Sequence, residues 1–334
     1  MTKEISNKIA NLGVIGALMV VLIHIPKCET GSVAIMYKIL PDGLLGSAVM
    51  MFFAISGYLI AGHVDEKGWW GHECRKRIRT LLVPYVVLNL FYFLVMAAYH
   101  CAGAGASEFS FSVRGILAAE GVIGGNPIIG PLWYVRCLLL AVLTLPLFMP
   151  VIRCGKGMAF GLCLLIYLGS IALKGHGGFI FGNVYRLHGI SFFLLGVTLR
   201  RYGIPNLSKK LGYVAMALAF SLALTMTLVE ACVITKVAYW LVKPVAVVAM
   251  WILIPSAPWS KLLTANTFEV YVLHYMIVHP SWLIFEKLGI YDKVFGSLIT
   301  YFLFPVLIFA AIVFFAELMK RHLPKFAAIV FGGR

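Results

Sequence analysis

Apolar and polar positions along this chain fall into long blocks. Ten stretches of nearly unbroken apolar character, at about 9–26, 43–63, 80–100, 130–152, 157–174, 187–200, 210–229, 237–256, 267–286 and 294–318, are separated by short connections that hold most of the charge. About twenty apolar residues is the length a helix needs to cross the hydrocarbon of a bilayer. Lipid offers a backbone no hydrogen-bond partners, so runs of this kind predict helices. A membrane β-barrel would instead show short segments alternating apolar and polar, and none stands out here. The pattern predicts an all-α polytopic membrane protein with about ten transmembrane helices. The connections are too small for a separate soluble domain, so residues 1–320 read as one transmembrane domain and 321–334 as a short basic tail.

Composition agrees. With 61% hydrophobic residues, 12% charged and a mean hydropathy of +0.94, the chain lies far from soluble domains, in which about a quarter of residues are charged. If the N-terminus is cytoplasmic, 18 of the 28 Lys and Arg residues fall on the cytoplasmic side, among them Arg75, Lys76, Arg77 and Arg79, then Arg153, Arg200 and Arg201. The positive-inside rule then puts both termini in the cytoplasm, as an even number of crossings also requires, in a cell (inner, cytoplasmic) membrane. This asymmetry and attraction to anionic lipid account for the net charge of +15, which therefore does not argue for nucleic acid. Seven cysteines show no metal spacing, and no metal is expected. Cys28, Cys101 and Cys232 fall on the outer side, where a disulfide is open but its pairing is not fixed by the sequence.

Candidate chemistry sits where polar groups interrupt apolar runs. His24, near the end of the first run, should face protein or a wet cavity, and imidazole can move protons near neutrality. Arg136 lies within the fourth predicted helix just after Trp133 and Tyr134. It is a functional candidate, or it snorkels to the interface. Trp133 and Tyr134 suit stacking against a sugar ring, and an aromatic belt would place them at the same depth. Arg186 and His188 open the sixth helix, where they can meet an outer carboxylate such as Asp42 or Glu120. His274 and His279, five apart, do not share a helix face; His274 is expected to bond another helix rather than a metal. In the longest outer connection, 101–129, the stretch FSFSVRGILAA (109–119) predicts a short amphipathic helix on the membrane.

Several of these positions fall in ordered blocks. MMFFAISGYLI (50–60), RKRIRTLLVPYVV (75–87), GPLWYVRCLLL (130–140) and FEVYVLHYMIV (268–278), with YRLHGISFFLLG (185–196), resemble the recurring blocks of the integral-membrane acyltransferase 3 family, and His24 stands in the family's V-V-L-x-H setting. The resemblance implies transfer of an acyl group, usually acetyl, from cytoplasmic acyl-CoA to a hydroxyl of a cell-envelope glycan or lipid-linked sugar. His24 would then be the general base. Arg75, Arg77 and Arg79 would hold the CoA phosphates, unless nearby Asp65, Glu66 and Glu73 turn that cluster into a self-satisfied ion-pair network. Arg136 would steady the donor or the oxyanion, and Trp133, Tyr134, Arg186 and His188 would bind the acceptor. Acetyl-CoA would be the co-substrate, membrane lipids the surroundings, and a homodimer is open.

One position departs from the family. Many members carry an arginine eleven residues before the histidine, on the same helix and about 16 Å away at 1.5 Å per residue; here that residue is Gly13. Gly13 and Gly16 would let a neighbouring helix pack closely, leaving Arg136 or Arg186 as candidates for the missing cation. Two other readings stay open: a transporter or flippase of a lipid-linked sugar, and a family member without activity.

Overall fold

The computed structural model describes residues 1–25, 36, 38–101, 112–123, 125–173, 186–289 and 294–333, without the side chains of 42, 283 and 294–297. Every one of the ten predicted runs carries a helix. The helices are α1 (Lys3–His24), α2 (Ser47–Ile60), α3 (Trp69–Arg77), α4 (Val83–Cys101), α5 (Val113–Ala119), α6 (Trp133–Arg153), α7 (Lys156–Ala172), α8 (Leu187–Tyr202), α9 (Lys209–Leu228), α10 (Val233–Leu253), α11 (Lys261–Thr264), α12 (Thr267–Lys287), α13 (Val294–His322) and α14 (Pro324–Phe331). Wider π-type turns precede α2 at Lys38–Leu45 and join α3 to α4 at Ile78–Leu82. Among the described residues, seven helices are long and apolar enough to cross a membrane, and α7 is a shorter apolar helix. Large side chains such as Leu147, Leu165 and Phe314 stand 68–75% exposed on these helices, an arrangement that lipid satisfies and water does not. This is a multi-pass helical membrane protein. The helix predicted within 109–119 is also present, as α5, capped by Ser112, whose hydroxyl accepts from the Gly115 amide at 3.1 Å.

The chain divides into two contact-dense units, residues 1–55 with 203–315, and 56–202 with 316–334. In the first, α1, α12 and α13 share a core of Val14, Ala17, Val21, Ile25, Val270, Val278, Tyr301, Ile308 and Ile312. Small residues bring its helices close. A Cβ on Gly16 would lie 2.9 Å from Met51 Cε, and one on Gly13 would lie 3.5 Å from Thr267 at the start of α12. The family's arginine position is thus occupied by a helix contact. The two polar residues below it on α1 serve the end of α10: Lys8 Nζ donates to Trp251 O at 2.8 Å, and Asn11 Nδ2 donates to Pro255 O and Ala257 O at 2.9 and 2.7 Å. Trp251 O is one of the carbonyls that a helix C-terminus leaves without partners, and Pro255 O and Ala257 O lie in the connection just beyond it.

In the second unit α6, α7 and α8 pack together, and α14 lies on α4. The basic tail therefore carries a helix of its own, with Ala327, Val330 and Phe331 buried.

Candidate active site

Helical periodicity explains how two histidines 250 residues apart meet. His274 sits four residues after Val270 and four before Val278, and His24 three after Val21, so each lies on the stripe its helix turns toward the shared core. His274 is fully buried and His24 half-buried. Nε2 of His274 lies 3.4 Å from Nδ1 of His24, and the ring centroids are 5.1 Å apart. Tyr275 meets the His24 ring edge-on at 5.9 Å.

The surrounding carbonyls fix which nitrogens carry hydrogen. A carbonyl only accepts, so Nδ1 of His274, 2.8 Å from Tyr271 O and 3.2 Å from Val270 O, must donate. Its Nε2 then presents a lone pair to His24. Nδ1 of His24 donates to Val20 O at 2.7 Å and shares the same hydrogen with His274. This leaves Nε2 of His24 with its lone pair, the state a general base requires. The expectation that His274 bonds another helix holds, and its partner there is the other candidate histidine.

The remaining candidates lie in the second unit. Glu73 is buried and takes Arg77 Nη2 at 3.2 Å and Lys76 Nζ at 3.7 Å. Arg77 is therefore committed to an ion pair, as the network reading foresaw. Asp65 and Glu66 serve other partners, Arg153 and Arg201 for the first and His63 for the second. Arg75 is exposed, with Nε 3.4 Å from Gly71 O, and Arg79 is exposed.

Arg136 Nη1 donates to Gly121 O at 2.6 Å, beside the Tyr85 hydroxyl, which donates to Glu120 O at 2.5 Å. The Ile129 amide donates to Asn89 Oδ1 at 3.2 Å. These contacts pin the connection before α6 to the bundle, and Gly121 is required in it: φ is +67°, and a Cβ would come within 2.9 Å of Pro127 N. Arg186 lies 4.0 Å from the Trp133 ring centroid and donates to Asn126 Oδ1 at 3.0 Å, rather than to Glu120. Tyr134 is buried, with its hydroxyl 3.1 Å from Ser56 Oγ. Ser191 Oγ donates to His188 O at 2.8 Å. Asp42's side chain and Cys28 lie outside the described residues; Cys101 and Cys232 are free thiols.

Burial pushes the Glu120 carboxyl from its ordinary 4.5 up to about 7, partly offset by the Asn89 side chain. Between those values the folded state holds a proton that the unfolded chain has released, so stability present at low pH is lost as pH rises from 4.5 through about 7. Glu120→Gln is expected to remove that decline. The check is the difference in thermal midpoint between wild type and variant from pH 5 to 8, which should grow with pH; a constant difference would show that Glu120 does not titrate there.

A fully buried and a half-buried histidine thus meet within a helical membrane protein. The acyltransferase domain family, acyltransferase 3, matches residues 11–319, and the chain belongs to that family. It is similar to the succinoglycan biosynthesis protein ExoH of Rhizobium meliloti (strain 1021), at 25% identity over 315 residues, 88% of this chain and 81% of that protein. No solved structure matches it. The resemblance seen in the sequence is thereby established, and the protein is a membrane acyltransferase by family.

Proposed function

We propose that this protein moves an acetyl or similar acyl group from cytoplasmic acyl-CoA to a hydroxyl of a cell-envelope glycan or lipid-linked sugar. The observation that carries the reading is the histidine pair, which presents an imidazole as an Nδ1–H tautomer with Nε2 ready to accept. Nε2 of His24 takes the sugar hydroxyl proton as the oxygen attacks the thioester carbonyl. The carbon–sulfur bond breaks, the acyl group stays on the sugar oxygen, and the proton passes to the departing CoA sulfur. A glycan acceptor is supported by the relative, whose name places it in succinoglycan biosynthesis.

The exposed Arg75 and Arg79, with Arg77 anchored on Glu73, would meet the CoA phosphates on the cytoplasmic face. Arg136 would steady the donor, while Trp133, Tyr134, Arg186 and His188 would line the acceptor's approach. Ten crossings of the inner membrane with both termini inside complete this reading.

The test needs no knowledge of the acceptor. Membranes holding wild type or His24→Ala are incubated with acetyl-CoA labelled in the acetyl group, and with succinyl-CoA in parallel, while thiol release and label in glycan and lipid fractions are followed. Wild type is expected to release CoA and label glycan, and the variant to do neither. Thiol release absent with both donors would favour a transporter or an inactive relative, neither of which has reason to cleave a thioester.

A further inference from the structure

The end of α2, the connection after it and the last turn of α8 form an open pocket of about 490 Å³, lined by Gly62, Asp65, Met149, Arg200, Arg201 and Tyr202 among others. This lies in the size range of small-ligand sites. Arg200 and Arg201 line it, and Arg153 stands beside it, paired with Arg201 on one carboxylate, that of Asp65. Arg153 Nη2 lies 3.0 Å from Asp65 Oδ1 and also donates to Val64 O at 3.1 Å, and Arg201 Nη1 lies 3.2 Å from Asp65 Oδ2. Arg200 sits 5.2 Å from the Tyr58 ring centroid with Nη1 3.4 Å from the hydroxyl, so its charge is oriented by a ring rather than by an acid.

The charges do not balance, and the acid is weakly held. Asp65 is 68% exposed, so its pairs are worth little and a stronger anion can displace it. The contrast is with Glu73, whose side chain is only 2% exposed beneath Arg77. We propose that this cavity binds a phosphate group, with Arg200 and Arg201 as forked donors and Arg153 at the rim. Two molecules bring a phosphate to such a face: acyl-CoA, through its nucleotide, and an anionic phospholipid. The first of these rests on the acyltransferase reading above; the second does not.

The experiment uses the full chain in nanodiscs of neutral phosphatidylcholine. Affinity for unacylated coenzyme A is measured for wild type, for Arg200→Gln with Arg201→Gln, and for Asp65→Asn. In a second arm, phosphatidylglycerol retained through detergent exchange is counted by native mass spectrometry. If the nucleotide is the occupant, losing two charge-assisted donors should weaken coenzyme A at least tenfold, while Asp65→Asn should tighten it several-fold. Opposite signs are what a binding site predicts and a merely structural ion-pair cluster does not. If only phosphatidylglycerol retention follows the arginines, the lipid headgroup is the occupant. Arginine variants that match wild type in both arms, or an Asp65→Asn that weakens binding as they do, overturn the site. Should wild type transfer acyl groups while those variants behave as wild type, only the cavity proposal falls. Should wild type neither bind coenzyme A nor transfer, yet retain lipid through the arginines, only the acyltransferase reading falls.

Discussion

His24→Ala is expected to lower acyl transfer about 100- to 10,000-fold, the usual contribution of a positioned general base. His274→Ala should cost about tenfold to a hundredfold, with KM for acyl-CoA unchanged. The difference follows from what each ring does. His24 would take the proton itself. His274 is a positioning residue: its Nδ1–H is held by two backbone carbonyls, and its Nε2 accepts from His24 Nδ1–H, reinforcing with Val20 O the tautomer that leaves the far nitrogen of His24 basic. When His24 becomes an imidazolium, that contact strengthens, since hydrogen bonds from charged donors are worth more than neutral ones. His274→Gln, which can place an acceptor near the Nε2 position, should recover most of the activity lost in His274→Ala.

A spectroscopic signature separates this role from packing. With ring nitrogens labelled, wild-type His24 should show the Nδ1–H tautomer, and His274→Ala should raise the share of the Nε2–H tautomer against the pull of Val20 O, a change that His274→Gln should reverse. If His274→Gln is as impaired as His274→Ala, with the same tautomer signal as wild type, His274 merely fills the core.

Much of this arrangement was legible in the sequence, and the limits are instructive. Every apolar run became a helix, because hydrocarbon leaves a backbone no alternative. His24 was visible as an imidazole in an apolar run, and His274 as a residue that would bond across helices. Their pairing was not visible, since it depends on α1 packing against α12 from the far end of the chain. Gly13 was visible as a missing arginine; that Thr267 would fill the place was not. The basic cluster at the end of α3 was legible as a phosphate clamp or an ion-pair network, but not that burial would single out Glu73 and so bind Arg77 while leaving Arg75 and Arg79 exposed. Glu269 was passed over. It is a fully buried carboxylate in the first turn of α12, five residues before His274, and its signal was an acid inside the apolar block FEVYVLHYMIV. Arg153, Arg200 and Arg201 entered only as counts on the cytoplasmic side, because a cavity has no signature in local sequence.

The glycine in the SGYLI block carries the largest expected effect on folding. Gly57 lies on α2 where the backbone of α8 passes. A Cβ there would collide with the carbonyl oxygen of Phe193 and sit 2.8 Å from its carbonyl carbon and 3.2 Å from its Cα. All three atoms are backbone, and Phe193 itself is fully buried, so no side chain can rotate out of the way. Gly57→Ala must therefore separate the two helices, at about 3 kcal/mol or more, the upper end of overpacking costs. Against a total stability of about 5–15 kcal/mol that is a large share, and Gly57→Leu should yield no folded protein. Gly161→Ala is the control. It lies within α7 with nothing within 4 Å of its Cβ position, so the added methyl meets open space and the helix gains propensity. Monodisperse yield in detergent and thermal midpoint should fall sharply for Gly57→Ala and hold or rise for Gly161→Ala. A Gly57→Ala protein with an unchanged midpoint would mean that α2 and α8 do not approach this closely, and that the block's glycine serves something other than helix packing.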